Sequence, residues 1–232
     1  MSESVRIAVL ASGGGSNLQA LLERFPPGGS ASAQVVLAVG GRAGIGALPR
    51  ADAAGVATAV IEAGPGEGER LAALLEGHGA ELVVLAGYLR RVPPEVVRRW
   101  DGRMVNVHPA LLPAFAGAGM YGMHVHRAVL ASGARVSGAT VHRVGDAYDS
   151  GPILAQWPVP VLPDDTPERL AARVLAVEHR LLPGVVEALC RWTGESASGE
   201  VAQPTFGLVN HPAPSDAEVR RLLAQRFSSS PR

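Results

Sequence analysis

Asn106 and His108 stand two residues apart in the stretch MVNVHPALLP, Met104 to Pro113. In an extended chain that spacing sends both side chains to one face, while Val105 and Val107 fill the other. Pro109 holds His108 extended and cannot donate to a ladder, so the strand must end there. An isolated histidine in such a place is ordinarily a core residue satisfied by a backbone carbonyl. The neighbouring Asn and the abrupt stop argue instead for a site. Further on, VGDAYDSGP carries Asp146 and Asp149 in a turn-rich loop. Taken alone these are solvated turn residues. A carboxylate brought next to His108 would stabilise imidazolium and raise its pKa above the usual value of about 6.5. Such a pair can polarise a carbonyl and manage protons.

A second kind of chemistry is written in ASGGGSN, Ala11 to Asn17. Consecutive glycines let another group approach the backbone, and amides at a helix start, with the side chains of Ser16 and Asn17, form an anion cradle. Phosphate is the expected guest, and a merely tight turn is the competing reading. A dinucleotide fingerprint would need glycine where Leu18 stands and an acidic residue where Gly40, Gly41 and Arg42 stand. That disfavours NAD and leaves NADP open through Arg42.

The elements that must position these residues read as alternating strands and helices. The apolar runs Val5 to Leu10, Val35 to Val39, Thr58 to Ile61 and Leu82 to Ala86 are each followed by helical spacing. Those helices begin at Ser16, Ala47, Glu69 and Pro94. Strands apolar on both faces imply a parallel sheet covered on both sides, with its crevice beyond the carboxyl ends of the strands. Val136 to Val144 alternates, and Ile153 to Val161 is broken by Pro158 and Pro160, so an antiparallel extension ending in an edge strand is expected. Thr166 caps a long helix with Pro167 at its first position; Leu170, Val174, Val177, Leu181 and Val185 mark its buried face, and Pro183 should kink it. Residues 1–190 form one domain in this reading, and 191–232, rich in Gly, Ser and Pro, an irregular tail.

Composition narrows the partners. Among 232 residues, 21 Arg balance 21 Asp and Glu, and no Lys occurs. That excludes Schiff-base and P-loop lysines and gives no basic surplus for nucleic acid or membrane. Small-molecule partners are expected. A single Cys190 excludes an internal disulfide and suits the cytoplasm; no signal peptide or membrane span is visible. His124 and His126 could be imagined with His108 and Asp146 around zinc, but no Cys pair or HExxH spacing supports a metal. No G-x-S-x-G elbow supplies a serine nucleophile.

The segments SGGGSNLQA, LAGYLR, NVHPALLPAF, YDSGP and ARVLAVEH, in this order and at these separations, resemble the phosphoribosylglycinamide formyltransferases, folate-dependent enzymes of purine biosynthesis. The resemblance runs from about Val5 to Leu189. It implies an α/β, Rossmann-like formyltransferase fold and transfer of the formyl group of 10-formyltetrahydrofolate, a co-substrate, to 5-phosphoribosylglycinamide. Asn106, His108 and Asp149 would be the catalytic trio, with Asn106 and protonated His108 donating to the oxyanion of a tetrahedral intermediate. Gly15, Ser16 and Asn17 would hold the ribose phosphate, and Glu178 the ribose hydroxyls or nearby polar groups. Leu89, Arg90, Arg91 and Val92 would line the folate pocket with Asn106, Gly145, Asp146, Ala147, Tyr148 and Asp149. No metal is required.

Several positions depart from the family's pattern. Gly40 and Gly41 stand where Ser-Asn is usual. The folate-contacting Arg after the third strand has no clear counterpart in EAGPGEGER, although Arg70 could substitute, and the segment Gly117 to His124 is longer than in many relatives. Formyltetrahydrofolate hydrolases and methionyl-tRNA formyltransferases share the HPALLP element but usually add a domain at one end, which this chain is not expected to carry. A formyltransferase for another amine, such as a sugar nucleotide, is an alternative. A non-catalytic NADP- or nucleotide-binding module would explain the glycine loop but leave Asn106, His108 and Asp149 unused. The sequence is silent on oligomeric state, and a homodimer is among the states it allows.

Overall fold

The computed structural model describes residues 4–28, 32–145 and 147–193; the expected tail from 194 onward lies outside them. Seven strands form one sheet in the order β3-β2-β1-β4-β5-β6-β7. Five run parallel: β1 (Val5–Ala11), β2 (Ala33–Gly40), β3 (Ala57–Val60), β4 (Leu82–Leu85) and β5 (Met104–His108). The last two, β6 (Val136–Arg143) and β7 (Ile153–Pro160), are antiparallel, with the proline-broken β7 on the edge as expected.

The period-2 pattern of β1 shows how one strand serves two cores. Ile7 and Val9 face a cluster with Leu18 and Leu21 of α1 (Ser16–Arg24), Ala47 and Ala51 of α2 (Ala47–Ala53), Val125 and Val129 of α5 (Met123–Ala131), and Leu170 and Val174 of α6 (Pro167–Thr193). Ala8 and Leu10 face a separate cluster with Leu71 and Leu75 of α3 (Glu67–Gly77) and Val96 and Val97 of α4 (Pro94–Arg99). Helices thus cover both faces, which is why the parallel strands carry apolar residues on both sides.

The helix α5, which follows directly on the glycine-rich segment, was not foreseen. The helix α6 contains Pro183 and runs on to Thr193, three residues into the expected tail. Among the described residues no helix is long and apolar enough to cross a membrane.

The sheet reverses its winding between β1 and β4. Chain ends that diverge there open a crevice beyond the carboxyl termini of the strands.

Candidate active site

That crevice holds a cavity of about 540 Å³, a size suited to a small organic ligand. The loop after β4 supplies Leu89, Arg90, Arg91 and Val92; β5 supplies Asn106 and His108; the loop after β6 supplies Gly145, Ala147, Tyr148 and Asp149. Asn17 from the start of α1 and Glu178 from α6 line it as well. Asp146 lies outside the described residues. Gly15 and Ser16 do not border this cavity; Ser16 borders an adjoining hollow with Gln19, Arg50 and His179.

The distant loop does reach β5. Asp149 Oδ1 lies 3.5 Å from His108 Nδ1 and 3.6 Å from His142 Nε2. Its Oδ2 accepts a 3.0 Å hydrogen bond from the Gly117 amide, which ties the segment after the HPALLP element to the carboxylate. Asp149 adopts φ 53°, a left-handed backbone that Asp tolerates better than most residues. Burial pushes its pKa up, but contacts with His142, Gly117 and His108 outweigh burial, and the net shift is downward. Asp149 is the ionised member of the group.

His142 joins the site without having been singled out in the sequence. The antiparallel register sets it directly opposite Asn106, so the two side chains share a face. His142 Nδ1 lies 2.8 Å from the Arg143 carbonyl, which can only accept, so Nδ1 carries the proton. In the neutral ring Nε2 is then an acceptor, and it takes a 3.0 Å hydrogen bond from Asn106 Nδ2. One N–H of the Asn106 amide is thereby fixed, and the other remains for a ligand in the cavity. The signal was present in the alternation of Thr140 and His142, but only the register shows its target.

His108 corrects the sequence-based expectation in two respects. Its pKa is lowered, not raised: burial is the largest influence, and the pull of Asp149 and the Phe115 carbonyl does not overcome it. The residue is only 3% exposed, and removing water penalises imidazolium. Its Nε2 is also not aimed at open cavity; it donates 2.9 Å to the carbonyl of Phe115, itself at φ 57°. To donate to a ligand oxygen, His108 must exchange that carbonyl for the ligand.

Also lining the cavity, Asn17 Nδ2 donates 2.6 Å to Glu178 Oε2. Burial raises the Glu178 pKa against the opposing effect of that bond. Asn17 Oδ1 is buried without a protein partner, a cost that a bound donor would remove. Arg90 is engaged by the protein: NH1 donates to the carbonyls of Gly41 and Ile61 at 3.1 and 2.7 Å, and NH2 pairs with Glu67. Arg70, the possible substitute for a folate-contacting Arg, does not line the cavity here and donates to the carbonyls of Pro65 and Glu62. His126 lines the cavity from α5, 4% exposed and with Nδ1 unpartnered. Among the described residues no group of three or more His, Cys, Asp or Glu is arranged to hold a metal ion.

An amide, an imidazole and a carboxylate around one cavity can bind a carbonyl oxygen as it gains charge and move a proton beside it. Comparison with known proteins assigns the class. A model of the formyl transferase family matches residues 5–186, and this chain belongs to that family. Within it, the likeness is to phosphoribosylglycinamide formyltransferases. That of Mycobacterium tuberculosis is 41% identical over 193 residues, covering 81% of this chain and 86% of that protein. The chloroplastic enzyme of Arabidopsis thaliana is 45% identical over 191 residues, covering 80% of this chain and 65% of its own. The crystal structure of glycinamide ribonucleotide transformylase 1 from Symbiobacterium toebii matches with a TM-score of 0.75 at 37% identity, over 83% of this chain and 90% of that one. This chain spans under two thirds of the length of the plant relatives, 65% and 61%. The fold is the Rossmann-like one of these structures.

Proposed function

We propose that this protein transfers the formyl group of 10-formyltetrahydrofolate to the amine of 5-phosphoribosylglycinamide, a step of purine (IMP) biosynthesis in the cytoplasm. Residues 1–190 form the catalytic domain in this reading. The observation that supports it is the approach of Asp149 to His108 in the cavity that Asn106 also lines, alongside the similarity to enzymes named for this reaction.

The neutral amine attacks the formyl carbon, and the carbonyl π pair moves onto oxygen. The free N–H of Asn106 donates to that oxygen, and His108 adds a second donor on exchanging the Phe115 carbonyl for it. Such an exchange gains as the oxygen becomes anionic, because a bond to a charged acceptor is about twice as strong as a neutral one. The attacking nitrogen loses one proton and folate N10 gains one as the C–N10 bond breaks. Asp149, ionised and next to His108, relays that proton through the imidazole or water. No net proton is consumed. Amides of Gly15, Ser16 and Asn17 bind the ribose phosphate, and Glu178 accepts from ribose hydroxyls. Leu89 to Val92 and the loop Gly145 to Asp149 wall the folate, with Arg90 contributing its fixed stem.

The test is consumption of 10-formyltetrahydrofolate with and without phosphoribosylglycinamide. Loss that requires the amine supports the reading. Loss without it makes the protein a hydrolase, and no loss in either overturns both.

A further inference from the structure

The carbonyls of the glycine loop are consumed from one side. Gly13 O accepts from the Ala47 amide at 3.1 Å, and Gly14 O accepts from Arg50 Nε at 2.8 Å, both donors on α2. In a trans peptide the C=O of one residue and the N–H of the next point in opposite directions. Drawing these two carbonyls toward α2 therefore turns the Gly14 and Gly15 amides away from it. The next amides belong to the first turn of α1, which has no side-chain cap, so they too are available to an anion. The loop is pressed against α2 without slack: a Cβ on Gly15, at φ 77°, would stand 2.6 Å from Ala47 Cα. A second sign of a ligand beside this turn is the buried, unpartnered Oδ1 of Asn17, a residue only 7% exposed that borders the main cavity; as an acceptor it calls for a donor such as a sugar hydroxyl next to the phosphate.

We infer that Arg50 is a positioning residue for the phosphate of the glycinamide substrate, acting by holding the Gly14 carbonyl so that the Gly14–Gly15 peptide presents its N–H to the anion. This rests on the reading of the loop as the phosphate cradle. Arg50 is on no strand end and in no part of the motif that marked the loop; it lies on the exposed side of α2 and acts through the backbone. Ala47 contributes its own amide, which no side-chain substitution removes. Arg50 is the member of the clamp that can be tested.

The test separates the donor from the charge. Gln places its Nε2 one bond beyond Cδ, as Arg places Nε, so Arg50→Gln keeps the donor to Gly14 and loses the charge; Arg50→Met loses both. Binding is read by calorimetry with inorganic phosphate and with phosphoribosylglycinamide, which needs no turnover, and kcat and KM are measured for each substrate. Arg50→Met is expected to weaken both ligands, and to raise KM for phosphoribosylglycinamide, about tenfold, the value of one such hydrogen bond. Its kcat and the KM for formyl folate should stay within twofold, and Arg50→Gln should bind within about threefold of the parent. Equal weakening in Gln and Met variants would make the effect one of charge and overturn the inference, as would unchanged binding in Arg50→Met. If the parent binds phosphate at this loop but transfers no formyl group, the functional reading fails while the clamp stands.

Discussion

Replacing Asp149 with Asn isolates charge from shape. The backbone at φ 53° suits Asn as well as Asp, and an amide oxygen still accepts from the Gly117 N–H, so the loop retains its anchor. What disappears is a negative charge 3.5 Å from His108 Nδ1. While the imidazole carries the proton in transit, two unit charges at that distance attract by about 5 kcal/mol at an effective dielectric near 20. Water screening reduces this, and half of it still corresponds to a rate factor of about 50 at about 1.4 kcal/mol per decade. With proton relay lost as well, kcat is expected to fall by about 10²–10⁴. Burial already holds the His108 pKa below its ordinary value. Removing the one opposing carboxylate lowers it further, so any acidic limb due to His108 moves to lower pH. Steady-state formyl transfer with both substrates saturating, followed from pH 5 to 9 (roughly the range over which His titrates), reads both effects. Retention of kcat within threefold, with an unmoved profile, would refute the assignment of Asp149.

Asn106→Ala removes the amide donor and should cost about 10²–10³ in kcat, measured against an unchanged unfolding midpoint. His142→Phe leaves Asn106 Nδ2 without its acceptor; freeing the amide to rotate is expected to lower kcat about tenfold with little change in either KM. Near-parental kcat in either variant would remove that residue from the mechanism. His126 has its pKa lowered chiefly by burial and secondarily by His108. The unfolded chain takes up that proton near pH 6.5, and the folded chain does so only at lower pH, so stability falls as pH drops below about 6.5. The slope per such group is at most about 1.4 kcal/mol per pH unit. Urea midpoints at about pH 7.5 and 5.5, bracketing that titration, should show the drop, and His126→Asn should lessen it; an equal drop in the variant would exclude His126 as a source.

The parallel strands β1, β2 and β4 were legible because both of their faces are largely buried, which leaves nearly continuous apolar runs. β5 was legible for the opposite reason: Asn106 and His108 interrupt such a run on one face, and Pro109 fixes where it stops. His142 was not legible, because its importance depends on a strand register that period-2 alternation alone does not specify. The direction of the His108 shift was also hidden: Asp149 was foreseen as a partner, but the weight of burial against it depends on how completely β6, the segment around Phe115 and the loop carrying Asp149 exclude water. The helix α5 escaped because its start is set by Gly122 at φ 51° and not by a polar cap. Arg90 illustrates the same limit. The resemblance placed it along the folate wall, and it does line the cavity; that its guanidinium is paired with Glu67 and two carbonyls depends on tertiary packing that the sequence does not show.

The central claim, that the amine and not water receives the formyl group, is tested most directly by following the group itself. Incubation with 10-formyltetrahydrofolate carrying isotopic label in the formyl carbon, together with phosphoribosylglycinamide, should place the label in the formylated glycinamide ribonucleotide. Label recovered as formate, or left on the folate, would contradict the account.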